Sequence, residues 1–127
     1  MPTDRSIVLR ELELSECFDL LASASRGRLA ITYQALPAIV PVRLRNSRDE
    51  VVVSSLLGRS MLIVTPNVVA LETGNLGEGQ EREWTVQVCG FIRALDPGVG
   101  DALLQSSGPR NDCYSVTTDH VRGWATF

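Results

Sequence analysis

The chain is 127 residues long, holds 12 basic residues, all of them arginine, against 15 acids, and has a formal net charge of −3. This length excludes two domains of ordinary size, the absence of lysine excludes a Schiff-base enzyme, and the lack of a basic cluster argues against a nucleic-acid partner. The hydrophobic fraction of 44% is that of a globular protein, and no apolar run approaches the roughly 18 to 20 residues needed to cross a bilayer.

The expectation is a soluble, cytoplasmic single domain over 1–127, with no membrane partner. Cys17, Cys89 and Cys113 are too widely spaced for a zinc knuckle or redox pair, so buried reduced thiols and no metal are expected.

Residues 1–11 read as a tail. Ser15 then precedes a segment in which Cys17, Phe18, Leu20, Leu21 and Ala24 recur at helical spacing, with Glu16 and Asp19 suited to the positive end of the helix dipole. Ser15 is the expected N-cap, and the helix should stop near Gly27.

From Arg28 the period changes. RLAITY, AIVPVRLR and EVVVSSL are short and β-branched, and the turn-formers Leu36-Pro37 and Asn46-Ser47 separate them, which suggests an antiparallel meander. Leu57 to Val64 suits one or two helical turns, stopped by Pro66. NVVALET reads as a strand, and the glycine-rich, charged stretch 74–83 as a mobile loop.

In WTVQVCGFIRAL, Trp84, Val86, Val88 and Gly90 fall on one face and Thr85, Gln87, Cys89 and Phe91 on the other, the clearest strand pattern in the chain. Asp96-Pro97 opens a short helix as cap and first helical residue. CYSVTT and HVRGWATF give one or two closing strands. About six antiparallel strands with a few short helices favour a mainly β protein closed as a barrel.

The order of these elements and several local patterns resemble the pyridoxamine 5′-phosphate oxidase-like, FMN-binding split-barrel family, in particular its small actinobacterial branch. The patterns are the helix followed by SRGRLAI, then LPAIVPVRL, VVVSSLLGRSM, EWTVQVCG and, more weakly, YSVTTDHVRGW. Together they run from about Leu12 to Trp124.

The resemblance implies a homodimer with FMN, or a deazaflavin coenzyme used by some relatives, across its interface, and hydride exchange with a small-molecule substrate. It places Ser55, Gly58, Arg59 and Ser60 around the coenzyme phosphate. Ser60 stands where the family has its lysine, and Arg59 sits one residue early. Arg59 could replace that cation, since guanidinium binds phosphate well.

Arg43 is the second candidate for an anionic ligand. Burial without a partner would be costly, so it should reach solvent, pair with a carboxylate such as Glu72, or meet the ligand. Trp84 lines the pocket in this reading, with core packing as the alternative. Trp124 could serve the pocket or a dimer contact, and His120 should be exposed.

No GxSxG elbow or histidine-centred triad exists, and flavin chemistry needs neither. The alternative is a non-catalytic module that has lost the phosphate lysine and holds another ligand or none.

Overall fold

The β-branched, alternating segments all become strands, and their register closes them on one another. The computed structural model describes residues 8–33, 35–47, 49–57, 67–96 and 113–126. In chain order these form β1 (Leu9–Glu11), α1 (Leu14–Ser23), β2 (Arg26–Tyr33), β3 (Leu36–Ser47), β4 (Glu50–Ser55), β5 (Asn67–Gly74), β6 (Trp84–Ala94), β7 (Cys113–Thr117) and β8 (His120–Thr126).

All strand pairings are antiparallel, in the order β1-β8-β6-β5-β2-β3-β4-β7, and β7 returns to β6. Six strands therefore close a barrel. β6 is long enough to serve two partners on one edge: Trp84–Cys89 pair with β8, and Ile92–Ala94 pair with β7. The barrel is split at that point.

Gly90 sits at the split, where a side chain is excluded by contact rather than by backbone angle. A Cβ there would run into the Thr117 carbonyl oxygen and lie 2.7 Å from Thr117 Oγ1. The same Thr117 hydroxyl accepts the Phe91 N–H at 2.9 Å, so the link from β7 to β8 is drawn tightly over β6.

Inward-facing Leu29, Val42, Val51, Val53, Leu71, Val86, Val88, Ile92 and Val116 are almost wholly buried and form one core. Burying each such side chain contributes about 1.5–3 kcal/mol. Cys17 and Leu21 of α1 join this core, one helical turn apart.

The helix begins two residues earlier than its serine suggests. Glu13 is the N-cap, and its N–H donates to Glu16 Oε1 at 3.2 Å. The Arg10 guanidinium reaches both oxygens of the same carboxylate, each at 3.2 Å. Arg10 lies on β1, so part of the expected tail is a strand, paired with β8.

Both hairpin turns also shift. Leu36 and Pro37 belong to β3, and the turn before them uses Ala35 at φ 64°. Asn46 and Ser47 are still paired, with Ser47 opposite Glu50. The helical turns expected at Leu57–Val64 and after Asp96-Pro97 fall almost entirely outside the described residues. Among those residues no helix is long and apolar enough to cross a membrane.

Residues 75–83 follow β5 and carry hydrogen bonds of their own. Asn75 Nδ2 donates to Gln80 Oε1 at 2.7 Å and to the Arg82 carbonyl at 3.1 Å. The Gly79 N–H donates to Glu83 Oε2 at 2.7 Å.

Candidate functional site

Register assembles the outer face from residues far apart in sequence. On β2 the buried Leu29 and Ile31 alternate with exposed Arg26, Arg28 and Ala30. Arg28 stands between Pro41 of β3 and Glu72 of β5, Glu72 stands beside Gln87 of β6, and Gln87 beside Arg122 of β8. The parallel row two residues along each strand is Ile39, Ala30, Ala70, Cys89 and His120. One row is charged or amide-bearing, and the other is mostly small and apolar.

An open groove of about 290 Å³ lies over both rows, with Ala30, Ile39 and Ala70 giving an apolar side and Arg28, Gln87 and Cys89 its polar atoms. A second cleft, of about 320 Å³, is lined by Arg26, Arg28, Pro41, Leu56, Glu72 and Glu78. A third, of about 270 Å³, lies under the Leu76–Glu78 part of the loop and against Thr85. Arg28 and Glu72 line all three.

These two residues form an ion pair, Arg28 Nη2 to Glu72 Oε1, at 3.3 Å, with side chains 70% and 41% exposed. An exposed pair of this kind is worth about 0–1 kcal/mol, so it does little for stability. The other carboxylate oxygen of Glu72 accepts from Thr85 Oγ1 at 3.3 Å, and Thr85 is buried. The strands are close here: a Cβ on Gly27 would lie 2.6 Å from the Glu72 carbonyl oxygen.

Of the residues singled out in the sequence, Arg43 is exposed on β3, directly across from Arg26 and beside Ser54. It does not pair with Glu72, which Arg28 and Thr85 engage.

Ser55 is buried, and its Oγ accepts the Leu57 N–H at 3.0 Å, which gives it a turn-forming role. Gly58, Arg59 and Ser60 lie outside the described residues. Leu56, which precedes them and donates its N–H to the Pro41 carbonyl at 2.9 Å, borders the second cleft.

Trp84 is half-buried and packs against the core, on the opposite face of β6 from Gln87 and Cys89. It does not line the groove. The Trp124 ring carries the Arg122 guanidinium, 4.9 Å from its centroid, and Arg122 also meets Glu11 at 3.1 Å.

All three cysteines are free, but Cys89 is exposed in the groove rather than buried, because its position on β6 faces outward. Burial, with Glu16 nearby, pushes the Cys17 thiol above its ordinary value. His120 is exposed as expected. Among the described residues no group of three His, Cys, Asp or Glu side chains could hold a metal ion.

Arg26, Arg28 and Gln87 were not singled out as site residues in the sequence, and Glu72 was named only as a possible partner for Arg43. Their signal was present as alternation, since Arg26-Gly27-Arg28 puts both guanidiniums on one face, and Glu72 and Gln87 each hold the outward phase of their strand.

A six-stranded barrel split along one strand, with a cleft-bearing outer face of mixed apolar and arginine character, defines a split-barrel protein. Residues 13–119 match the family model of pyridoxamine 5′-phosphate oxidase, and the chain belongs to that family. No curated protein matches the sequence.

Solved structures share the fold at low identity. An FAD binding protein from Mycobacterium smegmatis is 21% identical with a TM-score of 0.70, the match covering 94% of this chain and 100% of that one. An FAD-binding protein from Mesorhizobium loti is 18% identical with a TM-score of 0.71, covering 95% and 100%. A conserved protein of unknown function from Corynebacterium diphtheriae is 19% identical with a TM-score of 0.72, covering 94% and 98%.

Proposed function

We propose that this chain is a cytoplasmic flavin-dependent oxidoreductase that binds FMN, or a related flavin or deazaflavin coenzyme, in the outer groove and exchanges hydride with a small organic substrate. The observation that carries the reading is the union of an apolar groove with an arginine-lined cleft through Arg28 and Glu72. A flavin has the same two halves, a flat ring and an anionic tail.

The residues present fit such a group. Ala30 and Ala70 leave room for a flat ring against the strands, and the Arg28 guanidinium and Gln87 amide offer donors to its carbonyl edge. Arg26 and Arg28 line the neighbouring cleft, so positive charge is available to a phosphate. Arg59 adds another cation in this reading. The coenzyme supplies the hydride chemistry, while the protein binds, orients and shields it.

Homodimerisation belongs to the same proposal. A groove of about 290 Å³ is at the small end of ligand pockets, which run from roughly 300 to 1,000 Å³, so a second wall would complete it. Exposed Ile39, Val68 and Phe91 on the same outer face supply apolar surface for a second copy to cover.

The test is titration of FMN, FAD and a deazaflavin coenzyme into purified protein, followed by flavin fluorescence and by light scattering. Binding of one of them at micromolar concentration by a dimer, with loss of affinity in Arg26→Ala, is expected. A monomer that binds none of the three would overturn the proposal.

A further inference from the structure

We infer that Glu72 is a positioning residue: it holds the Arg28 guanidinium at the junction of the three clefts, so that the ligand's polar edge meets a fixed donor. The inference rests on the flavin reading for the identity of the ligand, but its geometry stands apart from that reading.

Glu72 uses both carboxylate oxygens in different directions. Oε1 faces Arg28 across the β2–β5 pairing at 3.3 Å, and Oε2 is anchored by the hydroxyl of Thr85 from β6, also at 3.3 Å. Thr85 is buried, so the anchor is fixed, and the carboxylate transmits that fixed position to a guanidinium that is otherwise largely in solvent. An unrestrained arginine would spread over many rotamers and lose that freedom on binding. Arg28 held in advance loses less.

Since an exposed ion pair adds little to folding, removing the carboxylate charge should leave the fold intact and change only the donor's placement. This separates positioning from a structural role. A carboxylate that merely repelled the anionic ligand would act in the opposite direction, because its removal would tighten binding.

The experiment compares wild type, Arg28→Ala, Glu72→Gln and Thr85→Val by FMN and FAD titration, by thermal melting, and by ¹⁵N relaxation of the Arg28 Nε–H in the coenzyme-free protein. Expected are a melting temperature for Glu72→Gln within about 2 °C of wild type, roughly two- to fivefold weaker coenzyme binding, and a more mobile Arg28 side chain. Thr85→Val should weaken binding in the same direction and by less.

If Arg28→Ala binds coenzyme like wild type, the site reading is wrong. If Arg28→Ala is weakened while Glu72→Gln binds as well as wild type or better, the site stands and the positioning role falls. Should wild type bind no flavin, the relaxation data decide: an Arg28 side chain equally ordered in Glu72→Gln overturns the inference.

Discussion

Replacing Gly90 by alanine tests the closure of the barrel. The added methyl would run into the Thr117 carbonyl, and the neighbouring Thr117 hydroxyl that holds the Phe91 N–H would lie 2.7 Å away. The obstacle is backbone, pinned on both sides by strand pairing, so it cannot rotate aside as a side chain would. Overpacking costs about 1–3 kcal/mol, and straining the hydrogen bond to Phe91 adds about 1 kcal/mol. The total is about 3 kcal/mol. For a domain of this size that corresponds to a melting temperature lower by roughly 10 °C. Thermal and urea melts of Gly90→Ala beside wild type measure it. A Gly90→Ala protein that melts within about 3 °C of wild type, a shift worth about 1 kcal/mol or less, would show that the β7–β8 link is slack and the argument from close approach wrong.

Thiol labelling under native conditions should modify Cys89 quickly and leave Cys17 unreacted until the protein unfolds, because Cys17 is buried and its thiol is held protonated; mass mapping of the labelled peptides checks this. Coenzyme bound in the groove should slow the Cys89 reaction. Arg10 and the Glu13 N–H hold the Glu16 carboxyl below its ordinary value of 4.5. The stabilisation this gives is present above that pH and fades as the pH falls through the lowered folded value. Glu16→Gln should therefore melt slightly below wild type at pH 7, and the difference should shrink in acid; a difference that grows with acidity would contradict the assignment.

The barrel was legible wherever one strand decided its own pattern. The alternation of β6 gave the inward set Trp84, Val86, Val88 and Gly90, and the β-branched runs gave β2 to β5. What escaped depended on partners. β1 is three residues without a β-branched side chain, and only β8 makes it a strand. The β2–β3 turn uses Ala35 in a left-handed conformation, which alanine adopts at a cost of roughly 1–2 kcal/mol, so no turn residue announced it. The candidate site divides the same way. Arg43 drew notice within its own segment, whereas the Arg28, Glu72 and Gln87 row exists only through the register of three strands. The inward phase of Trp84 on β6 was already given by its alternation with Gln87 and Cys89.

The pairing of β1 with β8 joins segments more than a hundred residues apart, Leu9 opposite Thr126 at one end. During synthesis the early strand has no edge to add to until β8 has left the ribosome. It must wait as an unpaired ribbon while the barrel forms. Arg10 and Glu16, six residues apart, can meanwhile fasten the ribbon to its own helix, shortening the search the late strand has to make.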